Sequence, residues 1–148
     1  MPRERLPRSR GRSCLSPIAA TMMHLALIIL LVFGGGAIGS AWRYWWSGIV
    51  AERFGETFPF GTLVVNVVGS LLIGLFAGAM SHHSRDAAWL QPLLIVGLCG
   101  GLTTFSSFSL QTWNLLQSRR WGLALVNIVL STALCFGWVA VGWQLAGG

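Results

Sequence analysis

Long apolar runs separated by short polar linkers dominate the pattern of hydrophobic and polar positions. Four such runs occupy residues 23–46, 58–80, 87–116 and 121–145. A bilayer core takes about 20 residues of helix, and each run is long enough. The linkers, SHHSRD and QSRR among them, are too short to hold a domain. The pattern predicts an all-α membrane protein of four transmembrane helices, with both termini on one side. No internal repeat is visible.

Composition agrees with the pattern. The 148 residues are 54% hydrophobic and 9% charged, far from the roughly one-quarter charge of soluble domains. Seven of the eight tryptophans lie at or near the ends of the runs: Trp42, Trp45, Trp46, Trp89, Trp113, Trp121 and Trp143. Such placement marks an aromatic belt at the two interfaces.

The net charge of +6 could indicate a nucleic-acid binder. Half of the ten basic residues, however, are Arg3, Arg5, Arg8, Arg10 and Arg12. The remainder is too sparse to grip a phosphate backbone, so no nucleic acid is expected. Residues 1–21, rich in Arg, Pro and Ser, lack apolar periodicity and an h-region of secretory type. They are expected to be a disordered basic extension, or to precede a true start at Met22 or Met23. Residues 22–148 are expected to form one four-helix transmembrane domain. Of the three cysteines, Cys14, Cys99 and Cys135, the last two fall in apolar runs and read as small buried hydrophobes.

Polar residues inside a membrane need a partner or a task. Thr62, Asn66 and Ser70 recur at every fourth position of the second run and share a face. Asn127 and Ser131 do so in the fourth run, with Thr132 beside them, and Gly35, Gly39 and Arg43 form a stripe in the first. Ser70, Gly74 and Gly78 have the small-xxx-small spacing that lets helices approach closely. Bland roles are available for many of these. A Ser or Thr hydroxyl can bond its own i−4 carbonyl, Asn127 can join two helices, and Arg43 can snorkel to headgroups. Asn66, central in its run and flanked by Val64, Val65, Val67 and Val68, resists such an explanation.

The third run is longer than one span needs and contains GGLTTFSSFS, residues 100–109. Gly100 and Gly101 weaken a helix, and Thr103 and Thr104 add a β-branched pair. A helix break is therefore expected near Gly100–Thr104. Non-helical backbone at membrane depth is tolerated where it is buried in protein or lines a wet cavity. Freed carbonyls there can hold a small cation. Phe105 and Phe108, three residues apart, share a face, and their ring edges suit an anion.

With GGGAIGSAWRY in the first run and PFGTLVVNVVGS in the second, the GGLTTFSSF string resembles the CrcB/Fluc family of fluoride channels. The resemblance runs from about Met23 to the C-terminus. It implies an antiparallel, dual-topology homodimer with two fluoride pores, which allows passive fluoride efflux across the cell (inner) membrane. It also implies a structural Na⁺ at the dimer centre, held by the carbonyls of Gly100 and Thr103. The fluoride pathway carried over is Asn66, Phe105, Phe108, Ser131 on the polar track of the fourth helix, and Arg43 near the vestibule. The family usually has TTFSTF and then Ser-Leu-Glu. Here Ser107 keeps a hydroxyl, but Gln111 replaces the acid, so no role of that acid transfers. Thr103→Ser is expected to keep the ion, and Gly100→Val to disrupt the backbone and the assembly.

The chemistry fits permeation. Fluoride needs donors to replace its water, and amide or hydroxyl groups donate without the full charge that traps an ion. A small coupled multidrug exporter, the alternative, wants an intramembrane acid, whereas Glu4, Glu52, Glu56 and Asp86 lie outside the runs. An intramembrane serine protease would need a histidine at the depth of Ser106 or Ser107, and His24, His82 and His83 lie elsewhere. No enzyme is expected.

Overall fold

The computed structural model describes residues 17–55, 57–81 and 87–147, and the architecture is all-helical. Helix α1 spans Pro17–Phe54 and α2 spans Phe60–Ser81. The third crossing is composite: α3 (Ala87–Leu90), a π-helical segment (Gln91–Cys99), α4 (Gly100–Leu102) and α5 (Phe105–Gln117). Helix α6 spans Trp121–Leu145. Four helical stretches are long and apolar enough to cross a membrane, as the apolar runs predict.

Helix α1 is longer than its apolar run. Its 38 residues extend about 57 Å at 1.5 Å per residue, against a hydrocarbon core of about 30 Å. Residues 17–21 of the expected basic extension are its first turn, where proline is favoured because its missing N–H has no helical partner anyway. Residues 1–16 lie outside the described residues. At the other end the Gly55 N–H bonds Ala51 O at 2.9 Å with φ +71°, a left-handed stop that suits glycine.

Close backbone contact at glycines holds the bundle together. Inside lipid the hydrophobic effect does not pull helices together, so small residues that admit close packing do. One seam joins α1 to the third crossing. A Cβ on Gly35 or Gly39 would collide with the backbone of Leu93 or Leu98, and one on Gly97 would meet Val32 O at 2.9 Å. The other joins α2 to α6, where Gly74 faces Val139 O and Gly142 faces Leu71 O. Both were legible as stripes of small residues. The buried core is correspondingly small: Val65, Cys99, Leu102 and Ala124 are its most enclosed apolar side chains. The outward faces are apolar and exposed, Phe33, Leu125 and Phe136 among them, as a lipid-facing surface requires.

The π-helical segment has no counterpart in the sequence reading. Its wider turn follows Pro92, which cannot donate a backbone hydrogen bond.

Candidate functional site

The third crossing breaks where expected, but not at its glycines. Gly100 has φ −62° and ψ −36°, ordinary helical values. The break is Thr103 (φ −81°, ψ 153°) and Thr104 (φ −150°, ψ 109°), both extended. The glycines serve packing and exposure instead. A Cβ on Gly101 would sit 2.6 Å from Gly36 O. One on Gly100 would meet only Ile95 O, at 3.8 Å, and Gly100 is exposed. Within the subunit, then, backbone opposes a Cβ at Gly101 and not at Gly100. Gly69 on α2 makes room for the break, since any Cβ there would strike Thr103 Cγ2.

Three polar residues replace the missing helical bonds. Asn66 Oδ1 accepts the Thr104 N–H at 2.7 Å, and Asn66 Nδ2 donates to Thr104 O at 3.3 Å. Thr104 Oγ1 accepts the Ser107 N–H at 3.2 Å and so caps α5, as a Thr before a helix can. Arg43 Nε donates to Gly101 O at 3.0 Å. The Gly35–Gly39–Arg43 stripe thus has one purpose along its length: it seats α1 against the third crossing and ends by capping α4.

These bonds leave carbonyls without their regular donors. In an unbroken helix the Thr104 amide would bond Gly100 O and the Ser107 amide would bond Thr103 O. Here those amides go to Asn66 and to Thr104 Oγ1. Arg43 serves Gly101 O, so Gly100 O and Thr103 O are among the carbonyls relieved of helical partners, together with Leu102 O, whose regular donor would be the Ser106 amide. Neutral carbonyl oxygens are hard donors, suited to a hard cation. Among the described residues no group of three His, Cys, Asp or Glu could hold a metal ion.

The expected pathway residues divide between two grooves. Asn66, Phe105, Phe108 and Ser131 line one of about 390 Å³, together with Ser70 and Cys135. The Phe105 and Phe108 ring centroids are 5.6 Å apart and tilted by 42°. Phe105 is 79% exposed, so the groove opens onto the outer face of the subunit. Arg43 lines a second groove of about 720 Å³ with Ser47, Thr62, Ser107 and Gln111. Thr104 lines both. Gln111 Oε1 is buried and has no hydrogen-bond partner within the subunit.

Thr104 was read in the sequence only as half of a β-branched pair at the break and not as a cap, although a hydroxyl three residues ahead of Ser107 at a helix start is a capping signal. Also missed was a buried relay behind the groove. Ser131 Oγ donates to Asn127 Oδ1 at 3.3 Å, Asn127 Nδ2 donates to Thr112 Oγ1 at 2.8 Å, and Thr112 Oγ1 donates to Phe108 O at 2.8 Å.

Comparison with known proteins places this geometry in a family. Residues 30–143 match the model of the CrcB-like proteins (Camphor Resistance, CrcB). The fluoride-specific ion channel FluC of Opitutus terrae is 50% identical over 128 residues, covering 85% of this chain and 95% of that protein. That of Rhodospirillum rubrum is 49% identical over 109 residues, with 72% and 84% covered. That of Shewanella sp. W3-18-1 is 49% identical over 119 residues, with 79% and 94% covered. On these matches the chain belongs to the CrcB-like family.

Proposed function

We propose that this protein is a fluoride-selective channel that lets fluoride leave the cytoplasm passively, and that it is not an enzyme. The observation that carries the reading is the groove at the helix break. It combines two phenylalanine edges with uncharged donor groups from Asn66 and Ser131 and contains no ionised side chain. Such a lining replaces the water of a small anion without trapping it. Arg43 lines the adjoining groove across Thr104, together with Glu52, and puts a positive charge beside the break through its bond to Gly101 O. The relatives' name, fluoride-specific ion channel, supports the choice of ion.

The functional unit in this reading is an antiparallel homodimer in the cell (inner) membrane. The open groove and the exposed Phe105 support it, because a second copy would close the pathway off from lipid. A structural Na⁺ belongs to the same reading. The Gly100 and Thr103 carbonyls, relieved of helical donors, fit such an ion, and it would neutralise their combined partial charge and hold the break in place.

Fluoride efflux from liposomes containing the purified protein, followed with a fluoride electrode, tests the function. Fast efflux with chloride excluded is expected. Chloride leakage at a similar rate, or a requirement for a proton gradient, rejects it.

A further inference from the structure

The relay behind the groove has a direction. Phe108 O can only accept, so Thr112 Oγ1 gives it its single proton. Thr112 then has only lone pairs for Asn127, which must turn its NH₂ towards Thr112 at 2.8 Å. That orientation leaves Asn127 Oδ1 for Ser131, whose hydroxyl proton points at it across 3.3 Å. Asn127 is 2% exposed, so water does not compete for its amide. Ser131 is also a wall of the groove. In this arrangement its proton faces away from the groove, and its lone pairs are what the groove receives.

We infer that Asn127 is a positioning residue for anion release: its Oδ1 holds the Ser131 proton whenever no anion does. An arriving anion takes the proton from a long, weak bond. A departing anion hands it back to an acceptor already in place. The exchange makes the site shallower by roughly the worth of one neutral hydrogen bond, about fivefold in affinity. Conduction needs this, since a pore must bind an ion strongly enough to admit it and weakly enough to release it. The inference rests on the fluoride reading and deepens it.

The test is the fluoride dependence of flux in liposomes for wild type, Asn127→Leu, Ser131→Ala and the double variant. Leu keeps the branched shape of Asn with somewhat more bulk, removes the amide, and leaves the Thr112–Phe108 bond in place. Removing the acceptor should lower the half-saturating fluoride concentration and the maximal flux together, each by about fivefold. Loss of packing would lower the maximum alone. In the Ser131→Ala background, Asn127→Leu should change neither quantity, because the proton it acts through is gone. If Asn127→Leu does not assemble, Asn127→Ser reads the same quantities, its short hydroxyl turning to its own helix at Leu123 O. A half-saturating concentration that stays put or rises, or effects that add in the double variant, overturns the role of Asn127. A wild type that passes no fluoride overturns the channel reading instead.

Discussion

Asn66 holds the Thr104 peptide from both ends, accepting its N–H at 2.7 Å and donating to its carbonyl at 3.3 Å. One side-chain amide therefore stands in for a turn of helix at the point where the third crossing is extended.

That double role separates two substitutions of Asn66. Asn66→Ala strands the half-buried Thr104 N–H, a loss of about 1–3 kcal/mol. Its melting temperature in detergent should fall, and flux with it. Asn66→Asp keeps the acceptor for Thr104 N–H but removes the donor and brings a negative charge to the groove. It should assemble, as size-exclusion chromatography reads, and pass no fluoride. An Asn66→Asp channel with wild-type flux would show that anions do not pass this groove.

The two adjacent glycines should differ. Gly101→Ala forces a Cβ to within 2.6 Å of Gly36 O, and backbone cannot swing aside as a side chain can. A cost of about 1–3 kcal/mol is expected. Gly100→Ala meets nothing closer than 3.8 Å and gains helix propensity of up to about 1 kcal/mol. Subunit stability should therefore drop in the first and hold or rise in the second, measured by denaturant unfolding in detergent.

The contrast also shows what the sequence can and cannot carry. Apolar length revealed the four crossings, and α6 lies at residues 121–145 as expected. The Ser70–Gly74–Gly78 spacing foretold a close approach of α2, because close packing demands small residues at a spacing one can count, whereas Gly35 and Gly39 stood out as a stripe without a packing role attached. The break was found for a partly mistaken reason. Gly-Gly is a weak helix former, yet helical Gly100 and Gly101 cost little when backbone from α1 packs on Gly101. What draws the chain out of the helix is the bonding of the Thr104 peptide to Asn66, 38 residues away, while the Thr103 N–H still bonds Cys99 O. The partnership of Arg43 with Gly101 O is likewise tertiary, with 58 residues between them. Neither leaves a local trace. The direction of the Ser131–Asn127–Thr112 relay also depends on helix α5 meeting α6, which no single run encodes.

Cysteine chemistry offers a test of whether the groove is wet. Cys135 lines it, half-buried, whereas Cys99 is 0% exposed. In a Cys14→Ser background a charged, water-soluble methanethiosulfonate reagent should react at Cys135 and stop most of the fluoride flux. Cys135→Ser should abolish the block and leave basal flux near normal. Persisting block in Cys135→Ser would place the reactive thiol elsewhere.

The phenylalanine pair makes a further prediction. With centroids 5.6 Å apart, the two rings can present their edges to one ion. Phe105→Ile or Phe108→Ile keeps apolar bulk and removes the polarised edge. Flux should fall in each variant while the proposed dimer, read by size-exclusion chromatography, persists. Unchanged flux in both would remove the rings from the mechanism.

Orientation in the membrane follows the count of basic residues in short flanking loops. With both termini and the loop after α2 on one side, that side carries Arg85 from residue 22 onward, and the other carries Arg53, Arg119 and Arg120. One against three is a small bias, which permits insertion both ways, as an antiparallel dimer requires. Arg3, Arg5, Arg8, Arg10 and Arg12 turn the ratio to six against three and favour the N-terminus inside. The chain with residues 1–21 should therefore insert mainly one way, and the chain without them both ways. A reporter fused at the C-terminus, read on both membrane faces for each form, measures this. Signal on a single face in the shortened form would sink the antiparallel dimer, because no subunit of opposite orientation would exist to pair.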